Sequence, residues 1–235
     1  MVAHVTAGRL SAIWLTAALV AAFGLAMGYL EATVVVYLRA ALDIVPGAIP
    51  AHDAATFGTF EAIEIARELA TLVMIAAVGW LAGRSPLERL AWTAVVFGTW
   101  DVAYYLGLRL TVGWPPSLAA WDVLFLVPMP WVGPVWAPIL ASTGLVGFGL
   151  VAADRLRAGR PIAVSPWRVL GALAGGGLVI ASFLADAERV LAGGGGAWSS
   201  WPLFAAGMAL ASAAIVTALV GGFSPRRRPI VDPGT

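Results

Sequence analysis

The chain has 235 residues, of which 60% are hydrophobic and only 11% charged, with a formal net charge of +1 and a mean hydropathy of +0.89. A soluble domain carries about 25% charged residues, so lipid rather than water must be the main solvent. There is no cysteine and no lysine, which excludes disulfides, thiolate metal sites and any retinal or pyridoxal Schiff base; the two histidines, His4 and His52, lie outside the apolar runs, so no haem is expected either.

The apolar runs are continuous, rich in Ala, Leu and Gly, and close to the ~20 residues that span a bilayer as helix. They do not alternate as barrel strands do. The expected fold is therefore all-α: a polytopic helical membrane protein of about six transmembrane helices in a single domain, 1–235. The first span covers about 11–38 and is too long for a signal-peptide core. The second covers 59–82 and begins FEAIEIARELA, with Glu61, Glu64, Arg67 and Glu68. The third covers 90–110.

Residues 114–138, WPPSLAAWDVLFLVPMPWVGPVWAP, hold six prolines and four tryptophans. Proline at this density breaks a helix, and tryptophan favours the membrane interface. A short interfacial or re-entrant helix is expected here, turning at Pro128–Pro134 into a fourth span over 131–153. The fifth span covers 167–184, with GALAGGG at 171–177 read as a close helix-packing face. AGGGGAWSSW, 192–201, reads as a flexible loop before a sixth span over 201–223.

Arginine placement sets orientation. With the N-terminus inside, Arg9, Arg84, Arg89, Arg155, Arg157, Arg160, Arg168, Arg226, Arg227 and Arg228 are cytoplasmic, and only Arg39, Arg109 and Arg189 are outside. Both termini are then cytoplasmic. The Arg-only, Ala/Gly-rich composition points to a bacterial source, hence a multi-pass protein of the cytoplasmic (inner) membrane.

Depth follows from orientation. Glu31 lies eight residues before Arg39 and Asp101 eight before Arg109, each about 12 Å into a helix; Glu64 and Glu68 fall about 8 to 14 Å in from Thr59. Three helices thus place acids at one level of the outer leaflet. Glu61, Glu64 and Glu68 share a stripe of the second helix, as do Asp101, Tyr104 and Tyr105 on the third; Gly24, Gly28 and Glu31 align on the first, where the Gly-xxx-Gly spacing admits a close neighbour. Tyr29 and Tyr37 fall near the same level, and Asp122 is placed to cap the layer from outside.

The candidate site is therefore Glu31, Glu64, Arg67, Glu68, Asp101, Tyr104, Tyr105 and Asp122. Carboxylates with tyrosine hydroxyls suit a cation, protons or a small solute that is bound or transported. An intramembrane enzyme working on a lipid-like substrate is the alternative, through paired acids such as Asp101 and Asp122 or through a metal at Glu31, Glu64, Glu68 and Asp101; an all-carboxylate set favours Mg²⁺ or Mn²⁺. A third reading is an accessory subunit of a larger membrane complex. The expected partners are membrane lipids and a homo-oligomer or larger membrane complex, with no nucleic acid.

Overall fold

The computed structural model describes residues 2–41, 54–127, 129–193 and 196–222, with side chains described from residue 13 and, in the second helix, from residue 62. The helices are α1 (Val2–Ala41), α2 (Ala54–Ala82), α3 (Pro86–Val112), α4 (Trp136–Arg157), α5 (Pro166–Ala185), the short α6 (Ala187–Leu191) and α7 (Trp201–Gly221). Between α3 and α4 lie two strands, β1 (Trp121–Phe125) and β2 (Trp131–Pro134). His52, Arg226, Arg227 and Arg228, and the side chains of His4, Arg9 and Glu61, lie outside the described residues.

Five helical segments are long and apolar enough to cross a membrane: Ile13–Ala41, Ala62–Ala82, Trp136–Arg157, Pro166–Leu191 and Trp201–Gly221. The protein is membrane-embedded, and the large apolar side chains turned outward, such as Trp14, Tyr37, Leu81 and Trp167, suit a lipid solvent. The remaining long helix, α3, falls outside that set because Asp101 and the tryptophans, tyrosines and threonines around it lower the hydropathy of its central stretch. Twelve of its residues are buried, since α1, α2 and α4 all pack on it. A helix covered on three sides tolerates polar groups that a lipid-facing helix does not.

Local chemistry sets the boundaries of α3. Ser85 is its N-cap and accepts from the Glu88 N–H at 3.3 Å, Pro86 opens the first turn, and Gly113 closes the helix in the left-handed region at φ 70°; this is the Ser-x-x-Glu start and glycine stop expected of a capped helix.

Glycines bring α1 onto α3: a Cβ on Gly28 would lie 2.4 Å from the Trp100 carbonyl oxygen, and one on Gly24 2.9 Å from Thr99 Cβ. The Gly-xxx-Gly expectation thus holds. In GALAGGG the close approach belongs to Gly175, whose Cβ would meet the Ala211 nitrogen at 2.5 Å; around Gly176 and Gly177 the space is open.

The Pro/Trp-rich segment differs from expectation. It is an antiparallel hairpin, pairing Trp121 with Pro134, Asp122 with Gly133 and Val123 with Val132, with an irregularity before the Phe125–Trp131 pair. WDVLF is a run of aromatic, β-branched and large apolar residues suited to a strand, and prolines at its margins end strands as they end helices. The fourth helix consequently starts at Trp136, not at 131. The glycine-rich loop before α7 also departs from a free linker at its far end. Trp198 is buried against Phe183, Phe204 and Trp136, and Asp186 accepts from the Ser199 hydroxyl at 2.6 Å and the Ser200 N–H at 3.1 Å.

Candidate functional site

All eight residues expected to form the polar layer line one cavity of about 120 Å³. Its walls are α1, α2 and α3, and β1 closes it over Asp122, Val123, Leu124 and Phe125. Glu31 comes from α1, Glu64, Arg67 and Glu68 from α2, and Asp101, Tyr104 and Tyr105 from α3. Tyr29 and Tyr37 do not join them; at 54% and 71% exposure they face outward.

Arg67 is the centre of one cluster. Its Nε and Nη2 donate to Glu64 Oε2 at 3.0 and 2.8 Å, and its Nη1 donates to Glu31 Oε1. The second Glu31 oxygen accepts from Thr71 Oγ1 at 3.2 Å. Glu64 and Arg67 sit one helical turn apart, and the guanidinium fork bridges across to α1. Glu68 does different work: its two oxygens accept from the Leu126 N–H at 3.1 and 3.0 Å, which ties the hairpin to α2.

Asp101 and Asp122 form the other group. Ser142 Oγ on α4 donates to Asp101 Oδ2 at 2.8 Å, and the Tyr105 hydroxyl donates to Asp122 Oδ2 at 3.1 Å. Each acid is held by a hydroxyl and not by the other acid. Among the described residues, no group of three or more His, Asp or Glu side chains is placed to share a metal ion. Both Glu31 oxygens and Glu64 Oε2 are engaged by Arg67 and Thr71, and both Glu68 oxygens by the hairpin backbone.

The charge balance is uneven. Five carboxylates and two guanidiniums, Arg67 and Arg39, line the cavity. Arg39 lies 4.6 Å from the Trp114 ring, a cation–π contact. Glu31 and Glu64 face a guanidinium, and Asp122 has the Tyr105 hydroxyl, the Val123 N–H and the electrostatic reach of Arg39, whereas Asp101 has only the neutral Ser142 hydroxyl among the described residues. An ionised carboxylate with neutral partners alone is costly away from water.

Aromatic rings gather beside the cavity: Phe125, which lines it with Trp100, lies 6.4 Å from Phe97, 6.1 Å from Trp100 and 5.5 Å from Trp131, between ring centres. The indole N–H groups of Trp100 and Trp131 are buried with no acceptor among the described residues.

Four contributors escape a reading of the sequence. Thr71 was within reach, since it continues the Glu64–Glu68 stripe at helical spacing. Arg39 counts as an outer-loop charge when orientation is being read. Ser142 lies 41 positions from its partner, and a lone serine in an apolar helix is no signal. The backbone of Leu126 carries none.

A second polar cluster lies at the opposite end of α3. Glu88 Oε1 accepts from Arg157 Nε at 2.6 Å and Trp92 Nε1 at 3.2 Å, and Oε2 accepts from the Arg84 N–H at 3.0 Å. Arg157 also donates to Thr16 Oγ1 and to the Ala82 carbonyl. Burial works against the Glu88 charge, but these donors hold its carboxyl below the usual carboxylate range. This cluster binds α1, α2, α3 and α4 into one bundle.

Comparison of the chain with protein-family models, with curated proteins and with solved structures gives no match.

Proposed function

We propose that the cavity between α1, α2, α3 and the hairpin binds a small monovalent cation in exchange for protons, as part of its movement across a bacterial inner membrane. The observation that carries this reading is the charge imbalance of the cavity: five carboxylates face two guanidiniums, and Asp101 is held by the neutral Ser142 hydroxyl alone among the described residues. The excess acid is neutralised by bound protons or by a cation, and the two can replace one another. The Trp100 and Phe125 rings in the cavity lining favour an organic cation over a strongly hydrated metal ion. The arginine asymmetry of the sequence supports cytoplasmic termini, which open the cavity toward the outer face.

The test is equilibrium binding of radiolabelled tetramethylammonium, which has no neutral form to leak through lipid, to the purified full chain. Saturable binding that weakens on acidification is expected. Asp101→Asn or Asp122→Asn lowers the affinity about tenfold, equal to about 1.4 kcal/mol. Absence of saturable binding of tetramethylammonium, guanidinium and sodium between about pH 5 and about pH 9, the range over which perturbed carboxyls titrate, overturns the reading.

A further inference from the structure

The molecule has a second opening that meets the acidic cavity at one wall. The α5–α7 pair stands apart from α3 and α4, leaving an apolar furrow. One stretch has a volume of about 350 Å³ and the next about 330 Å³, and Leu145, Phe148 and Ile215 line both, so the two are continuous. The furrow is held open by side chains that are missing on both banks. A Cβ on Gly176 of α5 would meet nothing within 4 Å, and one on Gly144 of α4 only Phe148, at 3.9 Å.

The two ends of the furrow differ in charge. At one end Asp101, Leu124 and Phe125 line both the furrow and the acidic cavity. Ser142 occupies Asp101 Oδ2, and Oδ1 accepts no hydrogen bond from the described residues. At the other end the lining includes Leu87 and Arg168. Leu87 precedes Asp101 by fourteen residues of α3, a run of about 21 Å at 1.5 Å per residue. An apolar trough of that length, with a carboxylate at one end and a guanidinium at the other, selects an elongated apolar molecule and fixes its direction.

We propose that the furrow holds the hydrocarbon chain of a single-chain ammonium amphiphile, with its cationic head at Asp101. The inference rests on the cation-binding reading of the acidic cavity and names the ligand class. Burial of the chain supplies affinity in proportion to its length, roughly 0.8 kcal/mol for each methylene fully removed from water. Membrane lipid competes for the same chain, so the gain read in a bilayer is smaller. The aromatic rings of Phe97, Phe125 and Trp131 sit where the head joins the chain, a position suited to a quaternary ammonium.

The experiment uses the full chain in nanodiscs of zwitterionic lipid and a dodecyltrimethylammonium probe with a photoreactive diazirine on its chain. Dodecyl sulfate and dodecanol carrying the same diazirine serve as anionic and neutral controls. Labelling of α4 and α7 residues in the furrow is expected, falling about tenfold in Asp101→Asn and disappearing in the double variant Gly144→Leu/Gly176→Leu, whose new side chains fill the trough. Tetramethylammonium binding, measured in parallel, persists in the filled variant and reports that it is folded. Equal labelling by the three probes, stronger labelling by the anionic one, or indifference to the filling substitutions overturns the amphiphile inference while tetramethylammonium binding leaves the cation site standing. Absence of saturable binding of tetramethylammonium, guanidinium and sodium by the unmodified protein overturns both.

Discussion

The two halves of the molecule meet lipid differently. In α1–α4 three polar contacts join helix to helix: Glu31 and Arg67 face each other across α1 and α2, Asp101 meets Ser142 across α3 and α4, and Glu88 with Arg157 closes the far end. The α5–α7 pair has no charged residue between Arg168 and the end of α5, and none along α7. It packs backbone to backbone through Gly175 and Gly207, whose added Cβ atoms would both meet opposing main chain within 2.8 Å. A helix with a single close partner has nowhere to hide a carboxylate from hydrocarbon, whereas a helix with three can shelter several. The polar site is therefore a consequence of α3 being surrounded.

That contrast can be broken most severely at the helix contacts themselves. Gly28→Leu drives a side chain into the Trp100 carbonyl and Ala103, and main chain cannot step aside as a side chain can. The expected loss is about 3 kcal/mol or more, at or above the upper end of overpacking penalties, with tetramethylammonium binding abolished. Gly175→Leu parts α5 from α7 by a similar clash, yet leaves the acidic cavity and its binding intact. Thermal unfolding and binding measured on both variants separate the halves; equal loss of binding in the two denies their independence.

The next largest effect is expected at the Glu88–Arg157 cluster. Arg157→Met leaves the Glu88 carboxylate buried without its cation, a loss of about 3 kcal/mol. Adding Glu88→Leu removes the stranded charge and recovers most of the stability. A double variant no more stable than Arg157→Met alone contradicts the buried-pair account.

Much of this arrangement is legible in the sequence, for a specific reason. Orientation comes from arginines outside the spans, and depth from counting residues inward, so the agreement of Glu31, Glu64, Glu68 and Asp101 in level does not depend on any one of them. Helical stripes then turn their side chains toward a common interior. The hairpin is less legible because its prolines and tryptophans signal only a broken helix near the interface, while its pairing depends on contacts between strands. The Glu88–Arg157 pair spans 69 positions, and its members read as ordinary connector charges. The anchoring of Ser199 and Ser200 to Asp186 is hidden in a run whose glycines suggest freedom.

The hairpin joins the two regions, since β1 roofs the cavity while β2 packs on α5 and α6. Its tie to α2 is the Glu68 carboxylate on the Leu126 N–H. Glu68→Ala removes a charge-assisted hydrogen bond, a loss of about 2 kcal/mol that is expected to be local. Amide exchange in 121–134 should quicken while exchange in α4 and α7 holds; uniform acceleration across the protein contradicts a local tie.

The smallest effect belongs to Asp186, at the α5–α6 junction within the Pro166–Leu191 segment, which holds the chain before α7. Its carboxylate accepts from the Ser199 hydroxyl, the Ser200 N–H and Arg189. Since the Arg189 side chain is 40% exposed, solvent screening limits the pair to about 1 kcal/mol or less. Asp186→Asn should lower the thermal stability by about that amount and leave tetramethylammonium binding unchanged. If the variant instead weakens that binding, the loop before α7 communicates with the acidic cavity through the hairpin, and the two halves do not act as separate structural units.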